Sequence, residues 1–307
     1  MGTPDFAVPA LKALLDCGHK LSLVVTQPDR PKGRGRKTTP TPVKKAALDY
    51  GIKVIQPEDI NLSPVKKKLK SLNPDLFVVV AFGQKLSKET LDIPKLYPIN
   101  IHASLLPKYR GSSPIQAAIS NMDKTTGITT MVMGEKLDDG DILLSLKTDI
   151  AFDETAETLH DRLADMGGDL ICNTLDAMDS LTPIAQNHEL ATFAPMLKKN
   201  DGKINWRESN EKICAKIRAM TPWPGAFTFL NNKLLKIFKA EPIKAAMNDT
   251  MPGTIIEHQY NEIRVASGDG IVNILELMGK SGKRLKAEEF LRGNKFEEKA
   301  RFTQNGS

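Results

Sequence analysis

Six consecutive apolar residues, Leu-Phe-Val-Val-Val-Ala at 76–81, cannot form a strand with one face in water. A run of that length without alternation needs cover on both faces, as a parallel strand has when helices pack on each side of its sheet. The flanking sequence supplies candidates for that cover. Helical patterning over 8–17 stops at Gly18, a second helix over 43–50 stops at Gly51, and a lysine-rich amphipathic one covers 65–72. Between them, 21–26 and 53–56 are short and rich in β-formers. The Phe82-Gly83 turn then falls at the carboxyl end of a parallel strand, where open α/β sheets place ligands.

The pattern changes further on. A strand ending near His102 leads to a helix over 114–120, strands over 128–133 and 142–147, and a long amphipathic helix over 154–178 that Gly167-Gly168 is expected to break or bend. His160, inside that helix, is read as structural. Residues 182–203 carry Pro183, Pro195 and Gly202 and little periodicity, as a surface linker would. Beyond it come a helix over 209–220 and short strands over 226–230, 233–239, 253–258, 263–266 and 271–277. Short strands with tight turns predict a small barrel of the OB type. Trp223, between two prolines, is expected as a packed anchor. The expected division is 1–181 as an α/β domain, 182–203 as linker, and 204–307 as a smaller β-barrel domain.

At 307 residues and 40% hydrophobic content, two proper cores are affordable and disorder is excluded. No apolar run approaches membrane-spanning length and the start lacks a basic-then-apolar leader, so a cytoplasmic location is expected. Cys17, Cys172 and Cys214 are scattered, which predicts neither a disulfide framework nor a metal site. The net charge of +6 is uneven, because residues 201–307 hold 18 Lys and Arg against 13 Asp and Glu. A basic C-terminal third suits a polyanionic partner. A second basic cluster lies in Gln-Pro-Asp-Arg-Pro-Lys-Gly-Arg-Gly-Arg-Lys at 27–37, where glycines and prolines argue for an irregular loop.

The chemistry concentrates in Asn-Ile-His-Ala-Ser-Leu-Leu-Pro-Lys-Tyr-Arg-Gly at 100–111 and Leu-Asp-Asp-Gly at 137–140. On a strand, period two puts Asn100 and His102 on one face. A fixed amide donor beside an imidazole suits acyl transfer to an amine, where an oxyanion needs donors in place and the amine must lose a proton. A carboxylate such as Asp138 would fix the orientation of the ring.

These two segments resemble the signature of the folate-dependent formyltransferases, Asn-x-His-x-Ser-Leu-Leu-Pro followed some thirty residues later by Leu-Asp-x-Gly. The resemblance implies Asn100, His102 and Asp138 as the catalytic trio and a Rossmann-like catalytic domain with a parallel-rich sheet. It implies 10-formyltetrahydrofolate as cosubstrate and no metal, with Ser104, Leu105, Leu106 and Pro107 bordering the folate site and Phe82, Gly83 and Leu86 lining the pterin pocket. The 27–37 loop resembles that of the branch that formylates methionyl-tRNA, implying Arg34 as a tRNA contact, with Arg36 and Lys37 beside it. Gly-Lys-Ser-Gly-Lys-Arg at 279–284 resembles the closing segment of the same branch, where Lys280, Lys283 and Arg284 would face phosphate. The implied partner is methionyl-initiator tRNA and the implied state a monomer, of bacterial rather than organellar type. In this family a buried strand precedes the Gly-Thr-Pro turn at 2–4, so the resemblance implies a further strand upstream of Met1 and, without it, an open apolar slot beside the neighbouring strands. Two other readings compete: a formyltransferase for a small amine, which leaves the basic loop and basic second domain unused, and a non-catalytic RNA-binding relative, for which the intact trio has no purpose.

Overall fold

The computed structural model describes residues 1–32, 37–245, 250–257, 262–294, 296–297 and 300–304. The chain divides into two compact units: the first comprises Met1–Pro114, Thr125–Asp149 and His160–Pro195, the second Ile115–Lys124, Ile150–Leu159 and Met196–Ser307.

Through the first part of the chain the order is α1 (Val8–Asp16), β1 (Val24–Val25), β2 (Arg30–Lys32), β3 (Lys37–Thr39), α2 (Pro42–Asp49), β4 (Val54–Ile55), α3 (Ser63–Ser71), β5 (Phe77–Val79), α4 (Lys88–Leu91), β6 (Pro98–His102), α5 (Pro114–Ser120), β7 (Thr125–Val132), β8 (Ile142–Asp149) and α6 (Ala156–Asp176). β1 and β4 pair in parallel, as do β5 and β6, while β7 and β8 extend the second group antiparallel. Met1 and Gly2 join the two groups. Gly2 N–H donates to Val25, Val80 N–H donates to Met1, and the terminal amine donates to the Val78 carbonyl at 2.6 Å. Burial pushes that amine down to about 5. A cavity of about 310 Å³ lies here, with apolar walls that include Leu11, Leu14, Val24, Val43, Leu69 and Phe77. In the apolar run at 76–81, Phe77 and Val79 on one face are buried in a core with Val25, Ile60, Leu69 and Leu91, and Val80 on the other face is buried too, while Val78 is half-buried and Ala81 exposed.

Several expectations are corrected. Segment 27–37 is not wholly irregular, since β2 and β3 form an antiparallel ladder pairing Arg30 with Thr39 and Lys32 with Lys37. A two-stranded edge ladder tolerates Pro31 because one side of each strand needs no partner. α6 runs unbroken through Gly167 and Gly168. A Cβ on Gly167 would stand 3.0–3.1 Å from Ile128 and Ile101, and one on Gly168 3.2 Å from Ala13 and from the Pro9 carbonyl oxygen. The glycines let the helix lie close to the sheet and to α1. Cys17 and Cys172 are disulfide-bonded across 155 residues, because the fold brings the end of α1 beside α6. Their sequence spacing carries no trace of that proximity.

In the second unit, α7 (Asn210–Met220) is capped by the Ser209 hydroxyl, which accepts from Lys212 N–H. It is followed by β9 (Ala226–Leu230), β10 (Lys233–Ile243), β11 (Ile255–Glu257), β12 (Ile263–Ala266), β13 (Ile271–Met278), β14 (Arg284–Lys286) and α8 (Ala287–Gly293). The strands form one antiparallel sheet in the order β11-β12-β13-β10-β9, with β14 also on β13. Its two edges are tied by one segment. Ile255 N–H donates to Ala300 and Phe302 N–H to Gly253 on one side, while Phe229 and Thr303 exchange hydrogen bonds on the other. The sheet therefore curls into a barrel-like form around Ile237, Ile263, Val265, Val272 and Ile274, all fully buried. Trp206 is the packed tryptophan, 3% exposed, stacked on Phe302 and donating to Thr228. Trp223, expected in that role, is 54% exposed.

Candidate active site

β6 is the middle of three paired strands, with β5 on one side and β7 on the other, so its backbone is held from both edges. Asn100 is paired with Val79 and Met131, and His102 with Thr129. The two side chains share one face of β6, as period two requires. His102 is buried and Asn100 half-buried.

The imidazole is hydrogen-bonded at one nitrogen and faces a carboxylate with the other. Nε2 lies 2.9 Å from the Tyr109 carbonyl oxygen, an acceptor only, so Nε2 carries the hydrogen. Nδ1 faces Asp138 Oδ2 at 3.6 Å. The same Oδ2 accepts from Gly111 N–H at 2.8 Å. Segment 100–111 thus turns back so that its far end, Tyr109 to Gly111, holds the ring and the carboxylate that serve its near end. Ser104 and Tyr109 fix that turn: the Ser104 hydroxyl donates to the Lys108 carbonyl at 2.6 Å, and Tyr109 adopts a left-handed φ of 59°.

Asp138 also has a left-handed backbone, φ 48°, a conformation that aspartate adopts more readily than most residues. The turn that carries it has no spare room, because a Cβ on Gly140 would stand 1.8 Å from the Val132 carbonyl oxygen. That close approach is the physical reason for glycine in Leu-Asp-Asp-Gly. On Gly111, φ 118°, a Cβ would come within 2.5 Å of the Ala194 carbonyl oxygen.

Residues that the sequence did not single out complete the site. Gln186 and Arg110 are both buried, and Gln186 binds the carbonyls of Asp138 and Gly140 on one side and the Arg110 guanidinium on the other. Arg110 Nη2 also donates to His188 Nδ1 at 3.0 Å. Segment 184–194, expected to be linker, is bound into the first unit through Ile142, Tyr109, Arg110 and Ser113. Nothing in its composition signals this.

The residues expected around folate fall into two groups. Leu105 and Pro107 are half-buried and follow His102 directly, while Leu106 and Ser104 are buried. Gly83 is exposed on a left-handed turn, φ 82°. Phe82 and Leu86, by contrast, belong to the core with Val25 and Phe77, so their side chains are committed to packing. The Phe82 carbonyl accepts from Thr3 and Gln27. Of this turn only Gly83 is exposed, since the Phe82 side chain is in the core and its carbonyl is engaged by two donors.

Among the expected tRNA residues, Arg34 and Arg36 lie outside the described residues, and Lys37 opens β3. The base of that ladder is anchored by Asp29, which pairs with Lys44 and accepts from Gln56. The hydrogen bonds from Lys44 and Gln56 hold its carboxyl below the usual carboxylate range. In the second unit Lys280 and Lys283 are exposed. Arg284 binds Glu276 at 2.5 Å and lies over Phe238, its guanidinium carbon 4.8 Å from the ring centre.

Comparison with known proteins decides the family. Residues 1–175 match the model of the formyl transferase family, and residues 196–295 match the formyl transferase C-terminal domain. The chain is a formyl transferase. It is 48% identical over 299 residues to the methionyl-tRNA formyltransferase of Citrifermentans bemidjiense, covering 97% of this chain and 93% of that one. The methionyl-tRNA formyltransferase of Thermodesulfovibrio yellowstonii is 47% identical over the same length, covering 96% of that protein. Among solved structures, the Helicobacter canadensis N-formyltransferase in complex with folinic acid and dTDP-3-aminofucose has a TM-score of 0.63 at 21% identity. It covers 89% of this chain and 96% of its own, and shows the shared fold. A formyl transferase of this family takes its formyl group from formyltetrahydrofolate. Among the described residues, no group of three or more His, Cys, Asp or Glu could hold a metal ion, and no helix is long and apolar enough to cross a membrane.

Proposed function

We propose that this chain moves the formyl group of 10-formyltetrahydrofolate to the α-amino group of methionine carried by initiator tRNA. The observation that carries the reading is the near-full-length similarity, through both units, to relatives named methionyl-tRNA formyltransferase. The basic composition of residues 201–307 and the cationic 27–37 segment accord with a polyanionic substrate.

In this reading the neutral amine attacks the formyl carbon and Asn100 donates to the oxyanion that forms. His102 is the proton-handling group beside it. The Nε2–H that meets the Tyr109 carbonyl is a donor for which an oxyanion can compete. Asp138 steadies the ring from the Nδ1 side while Nδ1, the nitrogen without a hydrogen, takes the proton that the amine gives up; as the formyl carbon–N10 bond breaks, a proton passes to N10 and tetrahydrofolate leaves. Ser104–Pro107 and the Phe82-Gly83 turn border the folate, with Leu86 supporting that turn from the core. Arg34, Arg36 and Lys37 contact tRNA from the first unit, and Lys280, Lys283 and Arg284 supply phosphate contacts from the second. The enzyme acts as a cytoplasmic monomer, with catalysis in the first unit, to which 184–194 belongs, and tRNA binding in the domain over 204–307.

The test is a direct choice of acceptor. With 10-formyltetrahydrofolate as donor, methionine-charged tRNA should be formylated at kcat/KM orders of magnitude above that for an amino-sugar nucleotide or glycinamide ribonucleotide. Comparable values for a small amine would replace this reading with a small-molecule formyltransferase.

A further inference from the structure

Gln186 is 6% exposed, between a β-bridge at Ile184 and a 3-10 helix over His188–Leu190, and every hydrogen-bonding capacity of its amide is used. Nε2 donates to the Asp138 carbonyl at 3.0 Å and to the Gly140 carbonyl at 2.7 Å. Oε1 accepts from Arg110 Nη2 at 2.7 Å and Nε at 3.2 Å. Arg110, 5% exposed, is itself held at its backbone, where its N–H donates to the Thr192 carbonyl and its carbonyl accepts from Ala194 N–H.

The two carbonyls that Gln186 binds are those of the turn that orients Asp138. The Asp138 carbonyl belongs to the residue whose φ of 48° aims the carboxylate at Gly111 N–H and His102 Nδ1. The Gly140 carbonyl lies two residues on, where the chain is pressed against Val132. Two acceptors closing on one amide nitrogen fix the turn between them, and Arg110 fixes the amide. The next residue, Gly111, then receives the carboxylate. A left-handed aspartate is a sparsely populated conformation that persists where its surroundings over-determine it. A half-satisfied buried amide would not hold it, because each polar atom left unpaired is costly.

We infer that Gln186, buttressed by Arg110, is a positioning residue for the reaction. It acts through Asp138, setting the backbone conformation that directs the carboxylate to His102. The inference rests on the catalytic reading of Asp138 given above. It touches neither substrate nor the reacting atoms.

The test is a double-mutant cycle in the full chain with Gln186→Leu, Asp138→Ala and the pair, measured as kcat and KM for both substrates. Gln186→Leu removes both donor contacts at similar volume, and is expected to lower kcat about 10- to 100-fold with each KM within about twofold. On the Asp138→Ala background it should cost nothing further, since the group it aims is gone. A multiplicative loss on that background overturns the inference, as does near-normal kcat for Gln186→Leu while Asp138→Ala is impaired. If Asp138→Ala alone keeps normal kcat, the catalytic reading of Asp138 fails and this inference falls with it, by a distinguishable result. Should Gln186→Leu not fold, Gln186→Glu serves in the same cycle. It keeps the acceptor for Arg110 and turns the donor against two carbonyls, with the same expected loss and the same overturning results.

Discussion

Adding one methyl group at Gly140 should disable the enzyme while leaving it folded. In the native turn a Cβ at this position would lie 1.8 Å from the Val132 carbonyl oxygen, and real Cβ contacts do not fall below 3.0 Å. The gap must therefore open by at least 1.2 Å. Val132 ends β7, which is paired on one side with β6 and on the other with β8. The turn is the softer partner and takes up the displacement. Asp138 moves with it, and a shift of that size is enough to lose its 2.8 Å bond from Gly111 N–H and the Gln186 bond to Gly140. Misplacing a catalytic group by about 1 Å costs about 100-fold in rate, and local overpacking costs about 1–3 kcal/mol of stability. Gly140→Ala is assayed by steady-state formyl transfer and by thermal unfolding, with Gly293→Ala as control. Gly293 ends α8 with open space around the position of a Cβ, so alanine there should change neither activity nor fold. The expected result is a kcat about 100-fold lower, KM values nearly unchanged, and a Tm lower by several degrees. A Gly140→Ala enzyme with kcat within about threefold of the parent would refute the argument that this turn sets the reactive geometry.

Other outcomes follow from the proposed function and from the structure. Asn100→Ala should lower kcat about 100- to 1,000-fold, about 2.7–4 kcal/mol, through loss of one oxyanion donor, and a near-normal single-turnover rate would remove Asn100 from the mechanism. Arg34→Ala should weaken use of tRNA and flatten the log–log salt dependence by about one unit, whereas an equal loss with a small amine acceptor would speak against a tRNA contact. Cys214 is 1% exposed, and burial pushes its thiol up to about 12 despite the opposing pull of Arg218. Since the thiolate is the reactive form, mass spectrometry after iodoacetamide at pH 8 should find Cys214 unmodified in the native chain and modified after denaturation. Rapid alkylation without unfolding would contradict its burial.

The parts of this molecule that sequence makes visible are those governed by local periodicity. The shared face of Asn100 and His102 needs only a strand at 98–102, and the unbroken apolar run at 76–81 needs only burial on both sides. The parts that sequence hides depend on residues far apart in the chain. Gln186 acquires its place because its segment folds back onto a turn 46 residues earlier, and a polar residue among prolines carries no mark of that. Gly167 and Gly168 read as helix breakers because propensity is local, whereas their use is the close approach of α6 to Ile101, Ile128 and Ala13. Trp206 and Trp223 are equally apolar in sequence, and only the curl of the second unit's sheet over Phe302 buries one of them. The same holds for Phe82 and Leu86, whose side chains are packed in the core.

The most direct measurement is single-turnover formyl transfer from 10-formyltetrahydrofolate to methionine-charged initiator tRNA, with charged elongator tRNA alongside and Asn100→Ala run in parallel. Rapid formylation of the initiator, little of the elongator, and a rate about 100-fold or more lower for Asn100→Ala are the expected results. Absence of transfer, equal transfer to both tRNAs, or an Asn100→Ala enzyme as fast as the parent would contradict the account.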